Sequence, residues 1–208
     1  MTAAVVIFAK APVPGMVKTR LLPVLSPGRA AALHARLTYE LTAGLARSGT
    51  GRLYLYGHPG TDHPFFRSLR RRFGVVLHPQ RGRDLGERML NAARETLALH
   101  SRMLLVGCDC PLLTPALCRE ALAALEGNDV VLGPAEDGGY VLIGLRRPIR
   151  ELFDDLAWGT ETVLAETRRR IRALGLRSHE LPLLWDLDRP SDLVRYRRYQ
   201  RSTTCRRR

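Results

Sequence analysis

Residues 1–21 read MTAAVVIFAKAPVPGMVKTRL. The unbroken apolar run Ala4–Ala9 predicts a strand buried on both faces, as in a parallel sheet. The stretch has no basic segment ahead of that run, so it reads as a strand and not as a signal peptide. Directly after it comes a Pro/Gly-rich loop. Gly15 lets the backbone turn with positive φ, and the prolines stiffen its flanks. The loop carries Lys10, Lys18 and Arg20, and these two lysines are the only ones among 33 basic residues. A lysine kept in an arginine-rich chain suits a demand for a compact point charge, as phosphate binding makes. The ordinary alternative is a surface loop with two lysines left by chance. No Walker motif is present.

Working outward, apolar runs alternate with helical patterns. Ser26-Pro27 supplies an N-cap and a first-turn proline for a helix to about Arg47, closed by Gly49. Strands follow at Arg52–Tyr56, Val75–His78, Met103–Val106, Val130–Leu132 and Tyr140–Leu145. Helices are expected at Pro64–Arg72, Leu85–His100, from Pro115 to near Gly127, at Thr160–Leu174 and at Ser191–Tyr199. This alternation predicts a three-layer α/β domain around a mixed, mostly parallel sheet. The link between Val130–Leu132 and Tyr140–Leu145 is too short for a helical crossover, so one strand there runs antiparallel or belongs to a subsheet. The expected division is one domain over 1–194 and a frayed basic tail over 195–208.

The chain has 208 residues, a net charge of +13 and four cysteines. Its length allows one sizeable core, and no apolar run is long enough to span a bilayer. Cys108, Cys110, Cys118 and Cys205 lack the spacing of a zinc site or a disulfide framework. They are read as reduced, buried thiols of a cytoplasmic protein. Seven arginines follow Asp192 with no acid among them, and others cluster at Arg70–Arg72 and Arg168–Arg170. Such runs read as a tail and solvated helix faces, with a general pull on anions; nucleic acid is not the expected partner.

Ligands of open α/β sheets bind at the carboxyl ends of the strands, where each remaining motif falls. Asp109 in GCDCP ends one strand. Asp186 and Asp188 in WDLDRPSDL point the same way if the segment is extended. With Asp109 they are the expected ligands of Mg2+ or Mn2+, which favour hard oxygen donors. Capping of the last helix by Asp188 or Ser191 is the competing reading. Asp137, Gly138, Gly139 and Tyr140 in GPAEDGGY read equally as an anion-binding nest or as a glycine hairpin. In GRDLGERM, Gly86 has room for a base or ribose and Arg88 for a phosphate, while Asp84 reads as a helix cap. Trp158 and Thr160 in WGT read as a helix cap that also walls the acceptor side. No histidine pattern points to catalysis.

In this order the motifs span residues 10–193. They resemble the glycosyltransferase-like proteins named "transferase 1, radical-SAM/selenodomain-associated", some called arsenosugar glycosyltransferases, of the GT-A (nucleotide-diphospho-sugar transferase) fold. The chain is more distantly similar to the phospholactate and phosphoenolpyruvate guanylyltransferases of deazaflavin cofactor synthesis. The resemblance implies that Asp109, Asp186 and Asp188 hold magnesium, that Lys10, Lys18 and Arg20 form the phosphate loop, and that Gly138 and Gly139 lie beside the acceptor. Where the guanylyltransferases carry GGTN this chain has Gly138-Gly139-Tyr140-Val141, and their acceptor does not carry over. The implied function is transfer from a nucleotide donor, with Lys18 and Asp109 as catalytic groups. Glycosyl transfer from an NDP-sugar to a small molecule is the first reading; transfer of NMP from an NTP is the second. A homodimer is left open.

Overall fold

A computed structural model describes residues 2–205, with side chains to residue 202. Seven strands form one sheet: β1 (Ala3–Lys10), β2 (Arg52–His58), β3 (Val76–Pro79), β4 (Arg102–Gly107), β5 (Val130–Pro134), β6 (Tyr140–Leu145) and β7 (Ser178–Glu180). Their order across the sheet is β3-β2-β1-β4-β6-β5-β7. All neighbours are parallel except at β6, which runs antiparallel to both β4 and β5. The short link after β5 thus makes a hairpin, and β6 takes the place beside β4. β7 has no apolar signature, and its three residues are exposed.

The helices are α1 (Pro27–Ser48), α2 (Pro64–Phe73), α3 (Leu85–Leu97), α4 (Pro115–Ala124), α5 (Val163–Ala173) and α6 (Pro190–Cys205). Local chemistry sets most of their ends. Ser26 Oγ accepts from Arg29 N, Asp84 from Glu87 N and Thr114 from Leu117 N, while Gly49 and Gly74 close α1 and α2 in the left-handed region. α5 starts three residues later than Thr160, and Thr162 at its cap position makes no side-chain cap. α6 continues to Cys205, so the expected tail is helical that far; residues 206–208 lie outside the described part.

The pleat of β1 sorts its side chains. Val5 and Ile7 pack with Leu41 and Leu45 of α1 and Phe66 and Leu69 of α2, while Ala4 and Val6 face Met89, Leu90 and Ala93 of α3 on the other side. Each such fully buried Leu or Phe is worth about 1.5–3 kcal/mol relative to exposure. A third cluster joins Leu21, Leu37, Trp185, Leu187, Leu193 and Tyr196. It pins the 185–188 segment between α1 and α6 and so sets where its aspartates lie. Cys108, Cys110 and Cys118 are buried free thiols; the thiol of Cys205 lies outside the described side chains. Arg168 pairs with Glu180, and Arg169 and Arg170 with Glu166, so this arginine run is largely ion-paired. No helix among the described residues is long and apolar enough to cross a membrane.

Candidate active site

A cleft of about 1010 Å³ opens at the carboxyl ends of the central strands. Phe8, Leu105 and Gly107 line its floor, and Leu85 and Met89 of α3 one wall. Asp137–Val141 and Trp158–Val163 also line it, together with Arg20, Asp186 and Asp188. Asp137, Gly138, Gly139, Tyr140, Trp158 and Thr160 therefore share one cavity with the 186–188 carboxylates.

Asp186 and Asp188 both reach the cleft because Leu187, between them, is fully buried on the opposite side. Asp188 does not cap α6. Asp192 Oδ2 accepts from the backbone N–H groups of Asp188 (3.0 Å) and Arg189 (2.6 Å), and Ser191 makes no cap bond. The Asp188 side chain is left to pair with Arg20 at 2.6 Å.

Asp109 follows β4, and both its cationic partners meet Oδ1. Lys18 Nζ stands 2.8 Å away and His34 Nδ1 3.4 Å away. These cations hold its carboxyl well below the ordinary carboxylate range against the cost of burial. Lys18 also donates to Leu187 O at 2.5 Å. Its side chain is only 1% exposed, and its backbone is left-handed at φ 52. The sequence suggests a cation open to a polyphosphate; the fold turns Lys18 inward onto a carboxylate and a carbonyl. Lys10, at the end of β1, is exposed.

Burial pushes Asp186 up to about 7, reinforced by the negative charges of Asp109, Asp137 and Asp188 and opposed by Lys18. A carboxyl held among like charges is chemistry that a divalent cation relieves, and hard oxygen donors suit Mg2+ or Mn2+. The donor set fits such an ion. It is not closed around one point, however. Among the described residues, the group of three His, Cys, Asp or Glu ligand atoms lying within 4.8 Å of one another is His34, Cys108 and Asp109. Asp109 Oδ1 is held by Lys18 and His34, while its charge still acts on Asp186.

Other expectations change with the packing. A Cβ on Gly86 would overlap Phe153 O and stand 2.5 Å from Trp158 Nε1, so the indole edge and not a base or ribose occupies that space. Arg88 turns away, with Nε on Gly82 O at 3.1 Å and Nη1 3.4 Å from His58 Nδ1. The glycine pair is a hairpin and not a nest. Gly138 N–H goes to Ala135 O at 3.1 Å and Gly139 N–H to Asp137 Oδ1 at 3.0 Å. Gly138 has φ +85, and any Cβ there would overlap the Glu161 backbone. Thr160 Oγ1 donates to Ala157 O at 2.7 Å and caps no helix. Gly15 has φ +81 with open space where a Cβ would be.

Sequence reading missed His34. Its Nε2 lies 2.9 Å from Lys10 O, and its other nitrogen faces Asp109. The signal was a polar residue inside the buried stripe of α1, four residues before Thr38. Also missed was Arg195, which forms a bidentate pair with Glu136 and lies 4.5 Å from the Trp185 ring centre, both of them residues that line the cleft.

The fold is that of the nucleotide-diphospho-sugar transferases. A protein assigned as such a transferase from Desulfovibrio desulfuricans G20 is 33% identical, with a TM-score of 0.83 over 91% of this chain and 84% of that one. A nucleotidyl transferase from Methanothermobacter thermautotrophicus superposes with a TM-score of 0.64 at 17% identity over 97% and 99% of the two chains. Rv0371c from Mycobacterium tuberculosis H37Rv, in its manganese complex, does so at 0.57 and 15% over 94% and 97%. No curated protein shows significant sequence similarity to the chain. With its Desulfovibrio relative, the chain is an enzyme of the transferase class. The family described as "Uncharacterized protein conserved in bacteria (DUF2064)" matches residues 41–160, more than half of the sequence, and the chain belongs to it.

Proposed function

We propose that this transferase moves a glycosyl group from a nucleotide-diphospho-sugar to a small-molecule hydroxyl, with Mg2+ or Mn2+ as cofactor. The observation that carries this reading is the joining of Asp186, Asp188 and Arg20 with the Asp137–Tyr140 hairpin and Trp158 in one cleft. Asp186 and Asp188, with the Oδ2 of Asp109, would hold the cation, which supplies neutralisation of the leaving diphosphate. Arg20 is 60% exposed beside Asp188 and reaches the same phosphates. Lys18 acts on them through Asp109, which it anchors. Trp158, Tyr140 and Leu85 give the acceptor an apolar wall and keep water from the donor carbon. The acceptor oxygen bonds to the anomeric carbon as the carbon–oxygen bond to phosphate breaks. The nucleoside diphosphate leaves with the electron pair, and Asp137, at the hairpin tip, takes the hydroxyl proton.

One observation favours nucleotidyl transfer as a second reading. Lys10, Arg88 and His58 gather near the ends of β1 and β2, where both cations help burial to lower the His58 pKa. Such a patch suits a longer phosphate chain. The burial of Lys18 weighs the other way, since it removes one cation from that chain's reach.

The test is a thermal-shift panel of nucleotide-sugars and nucleoside triphosphates with Mn2+, followed by product analysis by phosphorus NMR. Stabilisation by a nucleotide-sugar and release of nucleoside diphosphate are expected. Stabilisation by triphosphates alone, with pyrophosphate released, would move the assignment to nucleotidyl transfer.

A further inference from the structure

We propose that His34, Cys108 and Asp109 bind a thiophilic divalent cation of the zinc class, at a nitrogen–sulfur site that shares only Asp109, through its Oδ1, with the carboxylates proposed for the cleft cation. The three ligand atoms form a compact triangle. His34 Nδ1 is 3.4 Å from Asp109 Oδ1, Cys108 Sγ is 3.8 Å from the same oxygen, and Sγ is 4.0 Å from Nδ1. A tetrahedral zinc, with bonds of about 2.3 Å to sulfur and about 2.0–2.1 Å to nitrogen and oxygen, sets its ligands about 3.3 Å apart for N–O and about 3.6 Å for edges to sulfur. The triangle needs to tighten by only a few tenths of an ångström. One face of the tetrahedron is thus preformed.

The contact on the far side of the His34 ring points the same way independently. Nε2 lies 2.9 Å from Lys10 O, and a carbonyl only accepts, so Nε2 carries the hydrogen. In the neutral imidazole the lone pair is then on Nδ1, facing Cys108 and Asp109. A backbone carbonyl that fixes the far nitrogen is the usual support of a metal-ligating histidine. Thiolate and imidazole donors select zinc-class ions over magnesium. His34 and Cys108 are 4% and 5% exposed, while the Asp109 side chain is 41% exposed and gives the ion a way in.

In the metal-free protein Lys18 provides the positive charge at Asp109 Oδ1. The incoming ion takes that oxygen, and a water completes the tetrahedron. Zinc-class ions bind thiolate and neutral imidazole, so protons held by the Cys108–His34 pair leave as the ion enters.

Co2+ added to the full chain in place of zinc tests this. The expected result is a sulfur-to-metal charge-transfer band with the visible bands of four-coordinate cobalt. The signal should saturate at one equivalent, disappear on adding Zn2+ and withstand excess Mg2+. Cys108→Ser should lose the charge-transfer band and Cys110→Ser should keep it. X-ray absorption of the zinc-loaded wild type, which needs no variant, should show one sulfur among nitrogen and oxygen neighbours. A wild type without the band, a band that survives in Cys108→Ser, or a zinc shell free of sulfur would each overturn the site. None of these readouts depends on the transferase reaction.

Discussion

The Lys18 ammonium lies 2.8 Å from Asp109 Oδ1 although 91 positions separate the two residues in the chain. Lys18 is left-handed at φ 52 and also holds Leu187 O, so one buried cation ties the β1 loop, the end of β4 and the 185–188 segment together. Lys18→Arg should lower transferase activity at least tenfold, by about 1.4 kcal/mol or more of transition-state stabilisation. The planar guanidinium does not fit the pocket of a compact ammonium. Lys18→Met should cost about 1–2 kcal/mol of stability, less than a fully buried pair because Asp109 keeps contact with solvent and His34. Activity and denaturant unfolding of both variants check this; a Lys18→Arg enzyme as active as the parent would refute it.

Asp186 predicts how stability responds to pH. Its folded pKa is raised from 3.8 to about 7. Between these values the folded state holds a proton that the unfolded state has lost, so stability falls as pH rises through the window. Without divalent ions, Asp186→Asn should melt higher than the parent at pH 8 and close to it at pH 4, a gain on the order of 1–3 kcal/mol at the upper pH. Mn2+ should stabilise the parent more at pH 8 than at pH 5 and Asp186→Asn little at either. Melting curves over pH 4–8, with and without Mn2+, supply the check.

His34 acts over a higher window. Its pKa is raised from 6.5 to about 10 despite burial, because Cys108 and Asp109 favour the charged ring. Its contribution is complete below pH 6.5 and is lost as pH climbs towards 10. His34→Gln keeps a donor for Lys10 O but removes the charge. The variant should be less stable than the parent at pH 6 and approach it near pH 10. A gap that stays constant across this range in urea unfolding would contradict the charged imidazole.

Gly138 of the cleft and Gly86 of α3 should respond differently. Gly138→Ala meets the Glu161 backbone at a positive φ, so neither side can yield; a loss of about 2–4 kcal/mol is expected. Gly86 has no positive φ, and its Ala variant presses on the Phe153 carbonyl and on the Trp158 side chain, of which the second can give way. It should cost about 1–3 kcal/mol and shift indole fluorescence as the ring is displaced. Equal losses with unchanged fluorescence would count against this packing.

Much of the fold was legible because its signals are local. The apolar run of β1, the caps at Ser26, Asp84 and Thr114, and the closing glycines at 49 and 74 act through neighbours a few residues away. The strand–helix alternation and the grouping of motifs at strand ends follow from them. The gathering of Asp186 and Asp188 on one side was also legible, since alternation in an extended segment is a property of the backbone. The insertion of β6 between β4 and β5 was not, and β7 has no pattern of its own, because pairing partners are chosen by the whole sheet. The sequence likewise showed Lys18 as a cation in a loop; only the closure of that loop on residues 109 and 187 made it a buried partner of a carboxylate. Nor does a single histidine in α1 announce its neighbours. Composition and local sterics determined the scaffold and which residue types stand near its functional edge. Which charge meets which was decided by tertiary packing, since electrostatic partnership depends on distance in space and burial, and neither is written in chain order.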